Sequence, residues 1–194
     1  MKNNFWSRFM PGDSGKNESE IGKMMNNCCS GFTQDDTDNK DYESVRIEKT
    51  KNVCPMCEDF AKDQIEKKTP IAVLSCEGAC LRGEVARQAA NLVCFKHLKE
   101  KTARICLGGA FTKNTGQRNL VRKASRVIAL EGCFIECGSR MMKGVIDDLK
   151  PEVIIVYRLY DFDKKLFAIN DLPEEKIREF AQIAANKIVE KINV

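Results

Sequence analysis

Ten cysteines and a single histidine, His97, stand in a chain of 194 residues. That imbalance limits the chemistry available. One histidine argues against zinc sites of the Cys₂His₂ kind and against histidine acid–base catalysis. Any metal site must be built mostly from thiolates. Cysteine at this density would suggest a disulfide framework in a secreted protein. The opening stretch MKNNFWSRFMPGDSG lacks the continuous apolar segment of a secretory signal. The expectation is therefore a cytoplasmic protein whose thiols bind metal or do redox chemistry.

The spacing of the thiols is more informative than their number. Cys76 and Cys80 lie in PIAVLSCEGACLRGEVAR, which reads as a short buried strand, a glycine-containing turn and a helix. Arg126 to Gly138, RVIALEGCFIECG, repeats the plan with Cys133 and Cys137. Between them, ARICLGG ends a further strand at Cys106. If a helix begins at Cys133, the sulfurs of Cys133 and Cys137 share one face and can share an ion. With Cys76 and Cys106 they make four thiolates, the number a closed tetrahedral zinc site needs. Cys80 is a candidate fifth ligand, or a redox partner for Cys76. Cys94 falls inside a helix and reads as a small buried hydrophobe.

These thiols must be positioned by the elements around them. Apolar runs at Ile71–Leu74, Ala103–Leu107, Val127–Leu130 and Val153–Tyr157 read as strands. Helical patterns fill Gly83–Leu98, Arg118–Ala124 and Phe134–Leu149. A long closing helix spans about Pro173–Ile192, with Asp171 as its expected cap. Continuously apolar strands alternating with helices predict an α/β fold. The expected form is a Rossmann-like parallel sheet of about four or five strands with helices on both faces. Ligands of such sheets bind at the carboxyl ends of the strands. Cys76, Cys106 and Cys133 all fall at that edge.

Residues 1–50 read differently, as an irregular N-terminal extension ahead of a cysteine-rich α/β domain at 51–194. Thr33–Ser44 is polar and acidic, as a linker would be. Ile21, Met24, Met25 and Cys28 recur at helical spacing, with Cys29 adjoining, and suit docking on a protein partner. Cys54 and Cys57 form a CxxC pair just ahead of a helix at Glu58–Lys68. The spacing suits half of a metal site, or a redox pair. Cys54 and Cys57, alone or with Cys28 and Cys29, are a candidate second metal or redox site.

The quoted segments resemble the DGC-domain family, whose members are taken to bind zinc. The resemblance rests on Cys76-Glu-Gly, Gly83-Glu-Val-Ala-Arg-Gln-Ala-Ala, Ile105-Cys106-Leu-Gly-Gly and Ile128-Ala-Leu-Glu-Gly-Cys133-Phe-Ile-Glu-Cys137, with Asp147-Asp-Leu-Lys-Pro151 following. It covers about Pro70–Tyr160. It implies Cys76, Cys106, Cys133 and Cys137 as zinc ligands, and supplies no reaction. Two departures stand out. Glu131 occupies the place of the name-giving aspartate, where it could orient a ligand by hydrogen bonding. Cys80 occupies the place of a small polar residue.

Two other readings use the same thiols. Cys76 and Arg82, six residues apart after a strand, match the loop of thiol-dependent phosphatases and arsenate reductases. There the amides and Arg82 would hold an oxyanion for attack by Cys76. Gly83 in place of Ser or Thr, and no downstream Asp-Pro, weigh against it. Four thiolates also suit an iron–sulfur cluster, although these are dispersed over three segments. No apolar run is long enough for a membrane span. Between Lys96 and Arg126, nine basic residues face Glu100 alone. With only Phe95 and Phe111 as aromatics there, a solvated surface is a better reading than a nucleic-acid platform.

Overall fold

The computed structural model describes residues 45–48, 51–68, 70–112 and 115–193. Contacts divide the chain into Met1–Arg46 and Ile47–Val194. The helical pattern around Met24, the linker at Thr33–Ser44, and Cys28 and Cys29 lie outside the described residues.

Four strands form the second unit's sheet: β1 (Ile71–Ser75), β2 (Thr102–Arg104), β3 (Arg126–Glu131) and β4 (Glu152–Ile155). All pairs are parallel, in the order β2-β1-β3-β4. The chain leaves β1 toward one edge and later returns to build toward the other. The order therefore reverses between β1 and β3, and a doubly wound sheet opens a crevice at such a point, outside the carboxyl ends of its strands. The pairing of β1 with β3 runs one step past the strand, through Cys76 N–H to Leu130 O at 2.9 Å.

Helices cover both faces. On one side lie α2 (Leu81–Leu92, continued by a π-helical turn at Val93–His97) and α6 (Glu174–Asn193). On the other lie α1 (Pro55–Lys68), α3 (Leu107–Phe111), α4 (Gly116–Lys123) and α5 (Cys137–Val145). The strands feed both cores by alternation. Val73, Ile128 and Leu130 pack with Val85, Ala89, Ile177, Phe180 and Ile188. Ala72, Leu74 and Ala129 pack with Ala61, Ala110, Leu120 and Met142. Burying both faces is what allows the strands to be continuously apolar. No described helix is long and apolar enough to cross a membrane.

Several sequence expectations shift. The helix expected from Phe134 starts at Cys137 instead, and residues 133–136 form a turn. Glu136 sits there in the left-handed region, with φ 55. The same-face argument for Cys133 and Cys137 therefore does not apply. The short helix α3, unforeseen, begins directly after Cys106. Asp171 does not cap α6. Its carboxylate turns back to accept from the amides of Phe167 (2.8 Å) and Ala168 (2.7 Å).

Candidate metal centre

The turn after β1 is held by backbone packed against backbone. A methyl on Gly83 would lie 2.7 Å from Gly78 O, and one on Gly132 would lie 2.9 Å from Gly83 Cα. Side chains at these positions are excluded, so the Cys76 turn, the start of α2 and the turn after β3 are in direct contact. This stack carries Cys76 and Cys133 to the crevice between β1 and β3.

Cys76 is 9% exposed. Its Sγ accepts from the Gly78 amide at 3.4 Å. Burial pushes this thiol up, while the amides of Gly78 and Gly132 pull it down and the charges of Glu131 and Cys137 add to the rise. Cys137 is also raised, by burial first and then by the charges of Cys133 and Glu131, with Arg140 opposing. Cys76, Cys133 and Cys137 therefore share one electrostatic neighbourhood. A methyl on Gly78 would lie 3.3 Å from Cys76 Sγ and 3.8 Å from Cys80 Sγ, so Cys80 borders the same turn.

Glu131, at the end of β3, is 1% exposed. Its carboxylate accepts from the Ser139 amide at 2.6 Å and the Gly138 amide at 3.4 Å. It thus satisfies donors in the first turn of α5, where a negative charge is favoured. Glu131 thereby fixes the start of the helix that begins at Cys137.

Cys106 precedes α3, and its Sγ accepts from the Gly109 amide at 3.4 Å. Gln117 of α4 holds its backbone, accepting from Cys106 N–H at 3.0 Å. Leu107 packs beside Gly138, where a methyl would lie 3.5 Å from Leu107 Cδ1. The residues that follow Cys106 and Cys137 are therefore neighbours. Cys106 also adds, after Cys54 and burial, to the upward shift of the Cys57 thiol. Cys54 and Cys57 flank the start of α1, both exposed. The Cys57 backbone amide first, and then the Cys57 thiol, favour the Cys54 thiolate and lower Cys54, while the neighbouring Cys54 thiol raises Cys57. Cys94 lies in the core on the α2 side of the sheet, 3% exposed, as expected of a structural cysteine. Among the described residues, no group of three or more His, Cys, Asp or Glu side chains is already assembled around an ion-sized position.

Arg104 was not singled out by the sequence, being one of nine cations in the basic stretch. Its side chain is 10% exposed. It donates to Glu77 Oε1 at 2.6 Å, to Ser75 Oγ and to the Ile105 carbonyl at 2.6 Å. The guanidinium thus ties the residues flanking Cys76 to the strand that delivers Cys106. Its place in the last residue of an apolar strand, two before a cysteine, was the available signal. Arg118 is also buried, bonded to the carbonyls of Ala110 and Phe111, so the basic stretch is not one solvated patch.

Arg82 corrects the phosphatase reading. That reading needs its guanidinium over the Cys76 turn. Instead it donates to the Lys164 carbonyl at 3.0 Å and lies over the rings of Tyr157 (5.3 Å) and Phe162 (5.6 Å). Gly83, read as a departure from the phosphatase loop, has its own reason in the glycine stack.

Comparison with curated proteins gave no significant match, and comparison with solved structures gave none. A family model, the DGC domain, matches residues 72–184. The match includes Cys76, Cys80, Cys106, Cys133 and Cys137, leaves out Cys54 and Cys57, and runs past Tyr160 into α6, further than the sequence resemblance. It spans more than half of the chain, and the protein belongs to the DGC-domain family.

Proposed function

We propose that this protein binds a zinc-class metal ion through thiolates at the carboxyl edge of the sheet, between β1 and β3, and serves in metal handling or sensing. The observation that carries the reading is that β1 and β3, paired where the strand order reverses, each run at their carboxyl end into a cysteine-bearing turn, at Cys76 and Cys133, with Cys137 opening the next helix. Cys106 is the fourth ligand, preceding Leu107, which packs beside Gly138 at the start of α5, and Cys80 borders the Cys76 turn as a further candidate.

The donor set fits zinc, which takes thiolates in tetrahedral geometry. The thiols are raised before binding, so the ion must displace protons from Cys76 and Cys137. Drawing the four sulfurs together requires the turn at 133–136 to adjust. Phe134 and Ile135 are 66% and 43% exposed, so no core packing opposes that movement. Cys106 and Cys137 are exposed as well, which suits an ion that exchanges rather than one sealed in a core.

Cobalt(II) titration of the reduced protein tests the reading. The expected result is an intense thiolate-to-cobalt absorption with the visible bands of a tetrahedral ion, displaced by zinc and strongly weakened in Cys76→Ser and Cys137→Ser. Octahedral, weakly absorbing cobalt in the reduced wild type would overturn it.

A further inference from the structure

The CxxC pair at the start of α1 has a partner that its sequence neighbours do not reveal. Glu58 accepts from the Gly116 amide with both carboxylate oxygens, at 2.8 and 2.7 Å. A methyl on Gly116 would lie 2.8 Å from Ala61 Cβ, so α1 and α4 are in close contact at this end. Gln117, the next residue of α4, accepts from the Cys106 amide at 3.0 Å. One helix end thus holds both the residue after Cys57 and the backbone of Cys106. Cys54, Cys57 and Cys106 are all exposed around it.

We propose that Cys54, Cys57 and Cys106 form an outer thiolate site for a second soft metal ion of the zinc class. Two sulfurs spaced as CxxC reach one ion from a helix start, and Cys106 supplies the third from the facing segment. The fourth position is left to water or an incoming ligand, as in an exchangeable site. Cys106 is common to both donor sets and would serve both ions. This assignment rests on the inner site only in sharing Cys106. Cys54 and Cys57 lie outside the segment matched by the family model and Cys106 lies within it, so the outer site joins this chain's own CxxC pair to a cysteine of the family domain.

Zinc and cobalt titrations of four forms of the full chain test it: wild type, Cys54→Ser/Cys57→Ser, Cys76→Ser/Cys133→Ser/Cys137→Ser, and all five substitutions together. Cys54 and Cys57 touch no core, so their replacement leaves the fold intact, which circular dichroism checks. The wild type is expected to bind about two ions per chain and each partial variant about one, with tetrahedral cobalt bands in both. The fivefold variant should bind none tightly. Equal stoichiometry and unchanged cobalt spectra in wild type and Cys54→Ser/Cys57→Ser would overturn the outer site. If at the same time the triple variant loses all metal, the inner site stands alone. Metal retained by the triple variant and lost from the fivefold one supports the outer site whatever the fate of the inner.

Discussion

A cysteine's chemistry in this protein is set by where the fold puts it. Cys94 and Cys76 are both buried, yet only Cys76 meets amides and other thiols. Cys94 is pushed up to about 11 from 9.0, mainly by burial, with Thr102 and Arg104 pulling weakly the other way. The sign of the linkage follows. In the unfolded chain this thiol ionises near its ordinary value, and in the folded chain only well above it. The unfolded state is therefore the one that loses the proton first as pH rises. Stability from this group is fully present below pH 9 and is lost between about 9 and 11, about 2–3 kcal/mol in all. Urea unfolding of wild type and Cys94→Ala across pH 8–11 checks this. The variant should show a shallower decline, and parallel declines would contradict the assignment.

At the scale of elements, the site depends on how closely three turns approach. Gly132→Ala sets a methyl 2.9 Å from the Gly83 backbone, and Gly83→Ala sets one 2.7 Å from Gly78 O. Neither neighbour is a side chain that can rotate away. Each substitution should cost about 1–3 kcal/mol of stability by overpacking and weaken zinc binding by separating Cys76 from Cys133. Gly108→Ala meets nothing within 4 Å and serves as the control. Denaturant midpoints and zinc competition titrations would show it. Equal zinc affinity in Gly132→Ala and Gly108→Ala would contradict the role given to the stack. The same elements show what sequence could and could not reveal. The strands were legible because both faces are buried and every residue from Ala72 to Leu74 is apolar. The edge cysteines followed, since a parallel sheet aligns its carboxyl ends. The start of α5 was not legible, because it is set by Glu131 reaching across the turn to the Ser139 amide. The docking of α1 on α4 was hidden for the same reason. It arises from Glu58 docking on Gly116, a contact between segments 58 residues apart.

At the scale of the molecule, a doubly wound sheet opens a crevice where its strand order reverses, and in this chain Cys76 and Cys133 follow the two strands that border it. Fold and family follow from the parallel order and from the match over residues 72–184. Metal binding is the step that the donor chemistry adds. The most direct measurement is the metal content of protein purified under reducing conditions without chelator, for the wild type and for Cys76→Ser/Cys133→Ser/Cys137→Ser. The account predicts zinc in the wild type at about one equivalent or more per chain, and the loss of about one equivalent in the triple variant. Metal-free wild-type protein that takes up no zinc on titration, or iron with visible absorption in place of zinc, would contradict it.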